Sequence, residues 1–585
     1  MKDFKVKNIK REHLIRFTSI LLLIVALSII SIFLFTRFDL TSEKRYTLSK
    51  STKEMLKNLD DVIYIKVYLS GKGLPPDYAE LATKTREFLD ELRAYSNLIE
   101  YEFIDPAKGR EPQEMNAIYS ELYKKGLNPQ AIQSMEAEGV NTRYIVPGAI
   151  LSYHQRETPV QLLDADDGLL SNREDIIKYS IEKLEYNIGN TIRRMTNQQH
   201  AKVGFLKGHG ELTNIETLRA AFAIANFYVV DSVMLNNKIS NIFDLEITDT
   251  AKNIFKVKDN KYDLLIIAKP TEPFGNYEKY LLDQFVMRGG RLLWFIDPVF
   301  AEMDSLNTHS EIACFARDLN LEDMFFRYGI RMNTNLLQDL NAVQIPVNAG
   351  TVGGQPQYKY IPWYYFPIIT PFVEHPIVKN LNVLRTEFVS SMDTIGTNSN
   401  LKKTVLLATS ANTKIVNTPA IVSLQTLKRR ANMIEFSKRH LPVSVLVEGE
   451  FNSLFADLEG EKFTELEALV HKNKSEPTKM IFVSDGDMIK NQLRQDNFAY
   501  PLGFDRFTGM VFGNKNFLLN AVNYLCDDED ILQVRSKDFK MRLLDKNKIL
   551  KEKTFWQTIN LLLPILVIVV LGVVFVGIRS AKYRR

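Results

Sequence analysis

The chain has 585 residues, room for roughly two to four domains, with 45% hydrophobic and 25% charged residues, an ordinary globular mixture. A net charge of +4 is small for this length and gives no electrostatic case for a nucleic-acid partner. The two cysteines, Cys314 and Cys526, are too few and too far apart for a disulfide framework.

In chain order, the first element is "FTSILLLIVALSIISIFLF", Phe17 to Phe35, 19 residues without a charge. The last is "INLLLPILVIVVLGVVFVGI", Ile559 to Ile578, 20 residues without a charge. A spanning helix needs about 20 mostly apolar residues, so both segments qualify as membrane spans. No Ala-x-Ala-like site follows the first, which therefore reads as an uncleaved anchor. Lys2, Lys5, Lys7, Lys10, Arg11 and Arg16 precede it, and Arg579, Lys582, Arg584 and Arg585 follow the second. By the basic-residue rule both tails face the cytoplasm, although Lys546, Lys548, Lys551 and Lys553 before the second span blur it. The large middle piece then lies on the other side of the membrane.

After the first span, "VIYIKVYLS" (Val62 to Ser70) alternates and reads as a strand. Leu81, Phe88, Leu89 and Leu92 sit at helical spacing between Tyr78 and Ser96. "LIEYEFIDP" predicts a parallel second strand, and "GAILSYHQ" with "TPVQLL" a hairpin. That order is thioredoxin-like, but the redox position reads "SGKGLPPDY" and holds no cysteine. Residues Asn172 to Thr196 predict one amphipathic connecting helix, with Ile176, Ile177, Ile181, Leu184 and Ile188 on one face.

Lys202 opens a larger region where apolar strands alternate with helices: "KVGFLKG", "YVVDSVML", "YDLLIIAKP", "RLLWFIDP" and, much later, "KMIFVSDGD". Such alternation predicts a parallel sheet covered on both faces, of flavodoxin-like or amidotransferase-like kind. The stretch 339–442 is Pro-, Asn- and Thr-rich and reads as a β-rich insertion. The fold class is thus α/β: a two-span anchored protein with a thioredoxin-like domain and a larger parallel-sheet domain. Its divisions are 1–36 (tail and first span), 37–171 (thioredoxin-like), 172–198 (connector), 199–545 (α/β with insertion) and 546–585 (second span and tail).

Motifs exclude several chemistries. No Walker loop occurs; "GMVFGNKN" has the wrong spacing and content for phosphate binding. The histidines form no His-Glu-x-x-His pattern, and no metal or other cofactor is expected. No Gly-x-Ser-x-Gly elbow is present, and neither cysteine sits at a strand–helix elbow. What remains is Gly208-His209-Gly210-Glu211, at the end of a strand, where α/β proteins place ligands. Asp297 and Asp485 end neighbouring strands and are candidates for the same crevice. The loop reads first as a turn whose Glu211 complements a helix N-terminus, then as a ligand crevice, and last as a catalytic site of a membrane-anchored hydrolase or amidotransferase-like enzyme.

The terminal spans, the domain order and the motifs "FLKGHGE", "GGRLLWFIDP" and "FVSDGDM" resemble the gliding-motility-associated ABC transporter auxiliary proteins of the GldG family. The resemblance covers essentially the whole chain. It implies a non-enzymatic inner-membrane subunit with periplasmic domains, partnered by an ABC permease subunit and a separate ATPase subunit. It also implies a carbohydrate ligand for the α/β domain. It supplies no catalytic residues.

Overall fold

The computed structural model describes residues 13–25, 48–71, 74–136, 139–154, 156–163, 173–196, 201–236, 238–249, 254–352, 355–379, 381–396, 400–428, 432–456, 469–526 and 546–583. Residues 1–537 form one compact unit and 538–585 a second.

The N-terminal part of the first unit is built on a four-stranded sheet. Helix α1 (Lys50–Lys57) is capped by the Ser49 side chain, which accepts the Thr52 N–H. Strand β1 (Ile63–Val67) alternates so that Ile63, Ile65 and Val67 point inward. Pro76 starts helix α2 (Pro76–Tyr95), where its missing N–H costs nothing. Strand β2 (Ile99–Phe103) pairs parallel to β1, and helix α3 (Pro112–Lys124) follows. A further hairpin, β3 (Gln130–Glu136) with β4 (Gly139–Ile145), was not anticipated. Strands β5 (Gly148–Tyr153) and β6 (Arg156–Gln161) complete the order β2-β1-β5-β6, with β5 antiparallel to both β1 and β6.

The segment expected as one connecting helix is two, α4 (Arg173–Glu182) and α5 (Leu184–Thr196), broken at Lys183. Its apolar face is not a free linker: Ile177, Leu184, Ile188 and Ile192 enter the core of the four-stranded sheet. Glu185 on α5 also accepts the Ser49 N–H (2.7 Å) and the Thr52 hydroxyl (2.9 Å), tying α5 to α1.

The main sheet has seven strands. In chain order they are β7 (Lys202–Lys207), β8 (Val229–Met234), β11 (Leu264–Ala268) and β12 (Arg291–Phe295), with a hairpin β9 (Phe243–Asp249) and β10 (Ile254–Asn260) beside them. A long hairpin, β13 (Ala342–Val352) with β14 (Gln355–Ile369), belongs to the insertion. Strands β15 (Leu401–Ala408), β16 (Pro442–Gly449) and β17 (Thr478–Val483) return to the sheet, giving β15-β16-β17-β12-β11-β7-β8. From β8 to β17 the neighbours run parallel. The all-parallel expectation is corrected at the other edge, where β16 is antiparallel to β17 and β15 to β16. The insertion is therefore not a detached subdomain: its chain supplies β15, while its own core gathers Trp363, Tyr365 and Phe366 around the buried Cys314.

Helices cover both faces. Helix α6 (Leu218–Ala225) and helix α8 (Asn514–Cys526) pack on one, and helix α7 (Asn276–Met287) on the other. Leu264–Ala268 is buried at every position, as a central strand covered on both sides must be. Asn523 of α8 accepts from the Tyr228 hydroxyl (2.9 Å) and donates to Tyr186 of α5 (3.2 Å), joining the small sheet's helix to the main sheet's.

In the second unit, helix α9 (Lys546–Tyr583) contains the 25-residue stretch Gln557–Ala581, long and apolar enough to cross a membrane. Pro564 lies inside it. Near the N-terminus, His13–Val25 is a shorter apolar helix. The rest of the expected first span, residues 26–35, lies outside the described residues, as do Lys2, Lys5, Lys7, Lys10 and Arg11.

Candidate functional site

Strand β7 lies between β8, which follows it in sequence, and β11. The carboxyl ends of β7 and β11 therefore flank the point where the winding reverses, the usual ligand crevice of such sheets. Gly208, His209, Gly210 and Glu211 follow β7, and Lys269, Pro270 and Thr271 follow β11.

These two loops are zipped together. The His209 carbonyl accepts N–H groups from Thr271 (2.8 Å) and Glu272 (2.9 Å), and the Leu212 N–H donates to the Ala268 carbonyl at 3.0 Å. The Thr271 hydroxyl donates to the Gly210 carbonyl at 3.0 Å. Gly208 and Gly210 have φ of +120° and +67°, conformations that side chains disfavour. A Cβ on Gly210 would run into the Thr271 hydroxyl, whereas one on Gly208 would meet open space.

His209 does not face an open crevice. It is 3% exposed, and its ring stacks on Phe274 with centroids 3.8 Å apart and planes 12° apart. Nε2 lies 2.9 Å from Glu278 Oε2 and Nδ1 lies 3.3 Å from Glu211 Oε1. Glu211 also accepts the His209 N–H at 2.8 Å. The expectation that Glu211 complements a helix N-terminus is corrected: α6 starts only at Leu218, and the Glu211 carboxylate is spent on His209. Glu278 stands in the first turn of α7, where it accepts the Gly275 N–H at 3.0 Å. Burial disfavours a charged imidazole here, but its hydrogen bonds to Glu211 and Glu278 outweigh that cost and raise the His209 pKa.

Asp297 and Asp485 come together with each other, not with His209. Beside Asp297 lies Lys269, whose backbone sits in the left-handed region at φ +55°. Its ammonium lies 3.1 Å from Asp297 Oδ2 and 2.7 Å from Asp487 Oδ2. Asp297 also accepts the Gly486 N–H. Asp485 caps the short turn Gly486–Ile489, accepting the Asp487 N–H at 2.8 Å, and takes the Glu387 N–H at 2.8 Å. Glu387 pairs with Arg385, which lies 3.6 Å from Asp505. The insertion is thereby held to the end of the sheet.

Burial pushes the carboxyls of Asp297, Asp485 and Glu387 upward. For Asp487, burial is outweighed by the Lys269 ammonium, which holds it low. Lys269 itself is raised, because Asp297 and Asp487 overcome the cost of burying it. Oxygens of Asp297, Asp485 and Asp487 lie within 4.8 Å of one another, a spacing that suits a cation, and the Lys269 ammonium supplies that charge.

The segment Lys269–Thr271 runs from one cluster to the other. Lys269, Arg385, Glu387 and Glu278 were not anticipated from the sequence. A lysine placed directly between the buried run "LLIIA" and a proline was a readable signal; the other three depend on long-range packing. A groove of about 580 Å³ begins at the end of β7 and the loop that follows it, at Lys207 and Glu211, and runs along β8, lined also by Asn214, Asp231, Asn241 and Tyr262.

Comparison with known proteins identifies the class. The family described as "ABC-type uncharacterized transport system", an auxiliary family of ABC transporters, matches residues 200–521, more than half of the chain. The chain belongs to this family, and its role is transport-associated. Residues 42–152 match a domain of unknown function, DUF7088. An uncharacterized protein of Borreliella burgdorferi is 23% identical over 461 residues, covering 77% of this chain and 80% of its own length. The solved mmIFT52 N-terminal domain is similar at 12% identity with a TM-score of 0.31, over 56% of this chain and 99% of that one.

Proposed function

We propose that the chain is a non-enzymatic, membrane-anchored auxiliary subunit of an ABC transporter linked to gliding motility, working with a separate ATPase subunit and a permease subunit. The observation that carries this reading is the filled switch point. Where an α/β enzyme would hold its ligand, His209, Thr271 and Glu272 close the crevice, and Lys269 fills the neighbouring carboxylate cluster. An imidazole engaged at both nitrogens has no free lone pair for general-base work, which disfavours the hydrolase or amidotransferase-like alternative. The sequence also lacks a Walker loop, so energy comes from another chain.

In this reading the protein sits in the inner membrane on two spans, with its bulk periplasmic and both termini cytoplasmic. The N-terminal domain is a thioredoxin-like module without redox chemistry, serving assembly. A carbohydrate ligand fits the groove along β8 better than the closed switch point, since the groove is open and lined by polar side chains, Asn214 and Lys261 among them. The test is affinity purification of the tagged full chain from native membranes. The reading expects one ATPase and one multi-span partner in constant ratio to it; recovery of the chain without either overturns it.

A further inference from the structure

The two ring nitrogens of His209 each face a carboxylate oxygen, at 2.9 Å on Glu278 and 3.3 Å on Glu211. Ionised carboxylates only accept hydrogen bonds. A neutral imidazole donates from one nitrogen and presents a lone pair on the other, so it cannot satisfy both neighbours. The site is complete only when the ring carries two protons.

We propose that His209 is a proton-operated latch: as imidazolium it clamps the Gly-His-Gly-Glu loop to the first turn of α7, and its deprotonation releases that turn and opens the switch-point crevice. The charged groups acting on the ring are Glu211 from its own loop and Glu278 from α7. From the loop after β11, Glu272 reaches His209 through its backbone N–H. On β7, the Lys207 ammonium is engaged by the Leu212 carbonyl. Phe274 supplies the apolar floor under the ring.

The latch has a defined mechanical linkage. Glu278 binds both the ring and the Gly275 N–H at the start of α7, so loss of the imidazolium sets a ring lone pair against either the part-buried Glu278 or the buried Glu211 carboxylate beside that helix end. The adjoining residues Thr271 and Glu272 are held by the His209 carbonyl. Movement of the ring therefore reaches the whole segment 271–278, while the Lys269 cluster anchors its N-terminal end.

Hydrogen–deuterium exchange of the full chain in lipid nanodiscs tests this, with intrinsic rates corrected at each pH. In the native protein, protection of peptides covering 271–280 should fall about ten-fold or more as pH rises between about 6 and 10, with peptides covering Ile63–Val67 unchanged. In His209→Gln that step should vanish and protection stay low throughout. In Glu278→Gln, which keeps the ring and Glu211, the step should move to lower pH. Protection without a pH step in the native protein overturns the latch, as does the same step in His209→Gln. A step shared by the control peptides reports global unfolding and also overturns it. Should His209→Gln fail to fold, an unmoved step in Glu278→Gln still refutes the proposal.

Discussion

Nε2 of His209 lies 2.9 Å from Oε2 of Glu278, joining the loop after β7 to a helix 69 residues downstream. That bond converts a motif that reads as an exposed glycine loop into an internal fastening. It also reverses a simple expectation about the side chain: a histidine at a solvated rim would be dispensable for folding, and this one is buried between charges.

His209→Ala should therefore destabilise the protein by about 2–4 kcal/mol, because Glu211 and Glu278 are left facing each other without their shared cation. Chemical denaturation of the folded body measures it. A loss below about 0.5 kcal/mol, typical of surface changes, would show that the ion pairs contribute little.

The pH dependence has a definite sign. The folded pKa of His209 is raised above its ordinary value, so its contribution is present in full below the unfolded value and is lost as pH rises through the folded one. Native stability should drop on the alkaline side of neutrality relative to His209→Gln, and the gap between the two should be widest in mild acid. A gap that widens with rising pH would be wrong for this site.

Lys269→Met should be among the costliest single changes, about 3–5 kcal/mol, since it leaves Asp297 and Asp487 buried without a counter-charge. The deficit should shrink as pH falls and the orphaned carboxyls take up protons. Thermal melting of the variant across pH checks this, and a pH-independent deficit contradicts it.

Gly210→Ala should cost more than Gly208→Ala. Both positions have positive φ, each worth about 1–2 kcal/mol for a side chain, but only at Gly210 does the new methyl strike Thr271. Adding Thr271→Ala to Gly210→Ala should recover part of the loss, a coupling readable in a double-mutant cycle. Equal effects at the two glycines would mean that backbone strain alone governs the loop.

Cys314 is buried, and burial pushes its thiol up to about 11, so it should resist alkylation at pH 8 while the protein is folded. Labelling followed by peptide mapping reports this directly. Rapid modification of Cys314 would place it outside the insertion's core.

The strands of the main sheet were legible because burial on both faces demands unbroken apolar runs such as "LLIIA", and glycine marked the turns that follow. The antiparallel edge was not, because β15 and β16 carry the same kind of apolar residue as the parallel strands, and direction leaves no trace in composition. Within the site, Gly208 to Glu211, Asp297 and Asp485 stood out by their position at strand ends. Which of them meet was not readable, since Lys269, Glu278 and Glu387 reach them from distant segments. The insertion's attachment through Arg385 and Glu387 likewise depends on pairing across the fold.

Under the proposed function this chain assists a transporter and leaves ATP chemistry to a partner subunit. The direct measurement is Mg-ATP hydrolysis by the complex drawn from native membranes and by the isolated full chain. The expected result is hydrolysis by the complex that disappears when the partner ATPase loses its phosphate-binding lysine, and none by the isolated chain. Turnover by the isolated chain, or activity in the complex that survives loss of that lysine, would contradict it.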